Sequence, residues 1–112
     1  MKGWVKIYRK ITEHPDYFSE PFTRMGAWID LIILANHKPG FIRVRGVRVP
    51  IERGQTGYGR ETLADRWKWS PGKVRRFLND LEKDGQIVQQ KTNVTNCITI
   101  INYDEYQDSD TA

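Results

Sequence analysis

The stretch ETLADRWKWSPGKVRRFLNDLEKD (residues 61–84) decides the fold. Leu63, Ala64 and Trp67 lie on one side of a short helix spanning about residues 60–67. Lys68 and Trp69 leave room only for a tight turn. Ser70 and Pro71 then mark a helix start: a serine N-cap, then proline at the first helical position, where its missing N–H has no partner anyway. Val74, Phe77, Leu78 and Leu81 follow the i, i+3, i+4, i+7 rule, so the second helix buries one stripe. Gly85 supplies the residue that ends it. Ala64 is small enough to let the two helices approach closely.

The flanking segments extend this pair in both directions. Residues 86–91 and 95–101 read as strands joined at residues 92–95, with Ile98 and Ile100 alternating against Cys97 and Thr99. Upstream, Trp4, Ile7, Tyr8 and Ile11 predict an amphipathic helix over residues 4–12, ended by His14 before Pro15. Thr23 predicts the cap of a helix over residues 24–36, apolar on nearly all sides and therefore central. Residues 41–51 read as a hairpin turning at Arg45 and Gly46, with Val44 opposite Val47, Arg43 opposite Arg48 and Ile42 opposite Val49. Pro50 marks the second strand as an edge or its end. Gly54, Gly57 and Gly59 punctuate a loop. Tyr103 and Tyr106 are expected to pack the C-terminal segment back on the body.

A short helix, a tight turn, a longer capped helix and a following hairpin predict an α+β, mainly helical fold. It is a winged helix-turn-helix with an N-terminal helix, an arginine-rich hairpin and a C-terminal wing. Residues 1–107 form this domain, and residues 108–112 a polar, disordered tail. In such a layout the second helix enters the DNA major groove. Its face opposite the apolar stripe carries Gly72, Arg76, Asn79 and Lys83, with Lys73 and Arg75 flanking. Arginine suits guanine edges, asparagine adenine, and lysine phosphate. Arg76 and Asn79 are therefore the candidate base readers, and Lys73, Arg75, Lys83 and Lys91 the candidate phosphate holders, with Asn93 in the wing loop. A solvated helix face carries such residues too, and Asp80, Glu82 and Asp84 suit that plainer role. Arg43 and Arg48, directly opposite on one hairpin face, repel each other. They are either splayed into solvent or relieved by an anion such as DNA phosphate or an acidic partner.

The charge distribution agrees with a polyanionic partner. The chain of 112 residues carries 18 basic and 14 acidic side chains. Residues 101–112 hold four acids and no base, so the body is more basic than the net charge of +4 indicates. No apolar run approaches the roughly 18 residues of a membrane span. The start of the chain lacks a signal-peptide core. One cysteine, Cys97, forms no internal disulfide, which suits the cytoplasm. His14, His37 and Cys97 lack metal-ligand spacing, so no metal, cofactor or catalytic residue is expected. The segment GQTGYG (residues 54–59) lacks the lysine of a phosphate loop.

Five stretches carry a family resemblance: GWVKIYRK (3–10), RGQT (53–56), LADRWKWS (63–70), VRRFLNDLEKDG (74–85) and ITIINYDEYQ (98–107). With them the chain resembles the N-terminal winged-helix domain of DnaD-like replication initiators and phage replisome organisers. The resemblance implies a role in starting DNA replication, often in prophages, by organising helicase loading at an origin. It also implies self-association and contact with replication-initiation or helicase-loading proteins, since in that family a second, C-terminal domain contributes DNA binding. The chain ends where the family's linker would begin, as a trimmed or a single-domain phage protein would. Double-stranded DNA and a second copy of the chain are thus the expected partners. An oligomerisation module of a primosome and a phage transcriptional regulator are the alternatives.

Overall fold

The structure, a computed structural model, describes residues 7–92 and 95–107. A 3-10 turn, Arg9–Glu13, leads through a bent segment to helix α1, Arg24–Leu34. Hairpin strands β1 (Gly40–Val44) and β2 (Val47–Ile51) follow, then strand β3 (Gln55–Thr56). Helices α2 (Arg60–Trp67) and α3 (Pro71–Lys83) precede strands β4 (Ile87–Lys91) and β5 (Asn96–Ile100) and a last turn of helix, α4 (Tyr103–Tyr106). The result is an α+β fold with two small antiparallel sheets: β1-β2, and β3-β5-β4 with β5 in the centre. Among the described residues no helix is long and apolar enough to cross a membrane.

Local chemistry sets the starts of α1 and α3 and the end of α3 where the sequence places them. Thr23 accepts from the Gly26 amide and Ser70 from the Lys73 amide, each capping its helix. Lys68 takes the left-handed conformation at φ 59°, so the turn between α2 and α3 closes within three residues, Lys68 to Ser70. Gly85, at φ 76°, ends α3 as expected. The hairpin register is also the expected one, with Arg45 and Gly46 both at positive φ.

Three expectations need correction. In place of a helix over residues 4–12 there is a five-residue 3-10 turn; Trp4 lies outside the described residues. Ile7 and Ile11 remain 40% and 44% exposed, so no buried stripe stabilises a helix there. Arg9 instead spends its guanidinium on the end of α1, donating to Ile33 O (3.0 Å), Ala35 O (3.2 Å) and Tyr103 Oη (2.7 Å). Helix α1 stops at Leu34, because Asn36 exchanges backbone bonds with Gly54 and Gln55. The glycine-rich loop contains β3, too short to show a period in the sequence, pairing Gln55 with Thr99 and Thr56 with Ile98.

The core joins α1, α2, α3 and the three-stranded sheet around Trp67, Leu31, Leu63, Phe77 and Ile98. Trp67, Trp69 and Phe77 meet edge-on at 5.1–5.8 Å between centroids. Inside it lies a carboxylate that pattern reading passed over. Asp30, with no exposed surface, accepts from Arg66 Nε (2.6 Å) and Nη2 (3.0 Å), Trp67 Nε1 (2.7 Å) and the Tyr17 hydroxyl. Tyr103 is buried, and Tyr106 packs edge-on against Trp28, so the C-terminal segment docks as expected.

Replacing Asp30 by Ala leaves Arg66 and the Trp67 N–H without their acceptor, and denaturant unfolding should show a loss of about 3–5 kcal/mol. A loss below about 1 kcal/mol would contradict this role. Burial, and then the hydrogen bond and charge of Asp30, push the Tyr17 phenol well above its ordinary value, against a smaller opposing effect of Arg66. The unfolded phenol ionises near pH 10 while the folded one keeps its proton, so stability is full below that pH and falls above it. Tyr17→Phe should flatten this alkaline decline; an unchanged decline above pH 10 would refute the coupling.

Candidate nucleic-acid interface

Helix α3 presents three faces. Val74, Phe77 and Leu78 are buried and Leu81 half-buried. On the side toward α1, Asp80 is paired with Arg24 (3.0 Å) in a solvent-exposed ion pair. On the side toward β4, Glu82 accepts from Gln89 N (3.2 Å) and Nε2 (3.0 Å). Two of the three acids that favoured a plain solvated face are thus engaged by neighbouring elements. Lys73, Arg75, Arg76, Asn79 and Lys83 are all exposed.

The two expected base readers differ. Arg76 stands on the outer ridge, its guanidinium lying back over Gly72, as helical side chains lean toward the N-terminus. Asn79 leans toward the sheet, where its Oδ1 accepts from Gln89 Nε2 (3.1 Å). Gln89 Oε1 in turn accepts from Asn96 Nδ2 (3.0 Å), so one amide links α3, β4 and β5. An asparagine reading adenine uses its carbonyl as acceptor and its amide as donor. In this structure the carbonyl already serves the sheet, so the pairing of Arg76 with Asn79 as equivalent readers is revised. Arg76 stands exposed, while Asn79 needs Gln89 to let go. Lys73 also has an intramolecular role, its ammonium 4.3 Å from the Trp69 ring centroid.

Arg75 lines a groove on this side. The groove, of about 440 Å³, runs between the start of α2, the middle of α3 and the β4–β5 hairpin. Its charged lining is Arg45, Arg60, Arg75 and Lys91 against one carboxylate, Glu61. None of these four cations takes part in an ion pair among the described residues. Helix α2 starts at Gly59 without a side-chain cap, so its first N–H groups await an acceptor. Asn96 Oδ1 is buried without a hydrogen-bond partner, an acceptor left for solvent or ligand. Sequence reading found Arg75 and Lys91 but missed Arg45, Arg60 and Gln89, which converge only through the fold. Asn93 lies outside the described residues; Thr92 and Thr95 bond to each other at the base of the turn.

Arg43 and Arg48 pair across the hairpin and are both exposed to solvent, the plainer of the two readings. Both guanidiniums sit against the Phe41 ring, 5.7 and 4.0 Å from its centroid. Contact with the ring face offsets part of the repulsion between them.

Compared with family models, with curated proteins and with solved structures, the chain has no significant match.

Because Arg75 and Lys91 are exposed and add only like charge to the groove, Arg75→Ala and Lys91→Ala should shift unfolding free energy by less than about 0.5 kcal/mol. A loss above about 1 kcal/mol in urea titration would make them part of the scaffold.

Proposed function

We propose that the chain is a winged helix-turn-helix protein that binds double-stranded DNA, with α3 as the recognition helix and β4–β5 as the wing, in replication initiation of the DnaD-like, phage replisome organiser type. The observation that carries the DNA reading is the groove whose four cations, beside a single carboxylate, form no ion pair among the described residues. Converging like charges repel, and a phosphate backbone relieves them while an uncharged ligand does not. The order β3, α2, α3, β4, β5 with β5 central supports the winged-helix assignment. The replication role rests on the resemblance of residues 3–10, 53–56, 63–70, 74–85 and 98–107.

A second reading, self-association, is favoured by the β1–β2 sheet, which has no third strand among the described residues, and by Phe41, 45% exposed on it. It is compatible with DNA binding. A transcriptional regulator uses the same interface, and the choice between operator and origin lies in the DNA sequence bound.

About five phosphate contacts, from Arg60, Lys73, Arg75, Lys83 and Lys91, give a log–log salt slope near −4.5, or roughly a 500-fold loss of affinity between about 50 and 200 mM salt. Titration of labelled duplex checks this, and a flat salt response contradicts it. Arg76→Ala should cost about 1–3 kcal/mol of binding and relax preference at one base pair. An unchanged affinity and preference would remove Arg76 as a reader.

A further inference from the structure

The β1–β2 hairpin sits outside the α2–α3–sheet body, yet its turn lines the groove. Its face of Ile42, Val49 and Ile51 turns inward: Ile51 is buried, and the Ile42 Cδ1 methyl lies so close over Gly57 that a Cβ there would meet it at 2.3 Å. Thr95 Oγ1 donates to Gly57 O (2.9 Å), tying the same loop to the wing. The body of the hairpin, the loop before α2 and the base of the wing are therefore in contact, with Arg45 projecting from the tip. Arg45, on the tip, meets Arg60, Arg75 and Lys91 around the groove.

Two features of Arg45 are unexplained by folding. It stands at φ 52°, in a turn position that asparagine or glycine fills with less strain than arginine. It also adds a third guanidinium to a groove already basic, with no carboxylate paired to it among the described residues. Both make sense if a polyanion fills the space between the tip and α3.

We propose that the β1–β2 hairpin is a second arm on the duplex, with Arg45 holding a backbone phosphate from the side of the groove opposite Arg75. This rests on the DNA reading above and adds to it a contact that helix and wing alone do not supply. The footprint is then wider than that of α3 and the wing, and hairpin and wing flank the strand that passes over the start of α2.

Arg45→Asn tests this cleanly, because asparagine followed by Gly46 suits the turn better while removing the charge. In the full chain, the variant should lower the salt slope for labelled duplex by about 0.9 and the affinity roughly five- to tenfold near 0.1 M salt. Its melting temperature should be unchanged or higher. Lys38→Gln, at the far end of the hairpin, should leave both binding values as they are. If Arg75→Ala weakens binding and Arg45→Asn does not, the hairpin is off the DNA and only this inference falls. If the unaltered protein binds no duplex at 50 mM salt, the DNA reading itself falls and this inference with it. If inorganic phosphate raises the melting temperature through Arg45 while duplex does not bind, the groove takes a small anion, which also overturns the proposal.

Discussion

The Asp30 carboxylate is the constraint on which the rest of the structure depends. It sits on the buried side of α1, beside Ala27 and Leu31, and it survives there only because four donor atoms close around it. A buried ion pair of this kind adds little net stability over an apolar replacement, but it tolerates only one arrangement. Asp30 therefore fixes α1 against the last turn of α2, through Arg66 and Trp67, and fixes both against the Tyr17 segment. Trp67 O, in turn, accepts from the Phe22 amide, Trp69 Nε1 donates to Phe22 O, and Lys68 Nζ donates to Phe18 O. The turn between α2 and α3 is thus stitched on both sides to the chain preceding α1. The direction of α3, and with it the face it offers, follows from that stitching.

The same wiring sorts the charges. Two acids of α3, Asp80 and Glu82, are engaged by Arg24 and Gln89, while Arg45, Arg60, Arg75 and Lys91 line one groove with the single carboxylate of Glu61. A modest overall charge becomes a concentrated local one, which the net value of +4 does not reveal. Local field, not total charge, governs attraction of a polyanion. On the hairpin Arg43 and Arg48 are exposed and share the Phe41 ring.

Where a residue's role is set by its neighbours in the chain, the sequence is legible. Ser70 with Pro71, Gly85 and the Arg45–Gly46 turn encode ends and register through local backbone preference, and they appear in the structure as read. The stripe of Val74, Phe77 and Leu78 is equally local. Where a role is set by contacts distant in sequence, the reading runs out. Asp30 looks like one polar residue in an apolar helix until Arg66 and Tyr17 arrive from elsewhere. Strand β3, two residues long, has no period to detect and exists because β5 offers it an edge. Ile7 and Ile11 have helical spacing, but both are only partly covered. For the candidate site, helix geometry placed Arg75 and Arg76 on exposed faces, whereas the tilt of Asn79 toward Gln89 and the arrival of Arg45 and Arg60 depend on how the elements pack.

The central claim is that one surface, built from the start of α2, the outer ridge of α3 and the wing, receives a nucleic-acid backbone. Mapping amide chemical-shift changes during titration with a short duplex at low salt tests it most directly. The account predicts that the largest changes fall in residues 59–62, 73–76 and 89–92, with little change along residues 28–34 of α1 or in α4. Changes confined to the outer face of the hairpin and to α1, with those three segments silent, would contradict it.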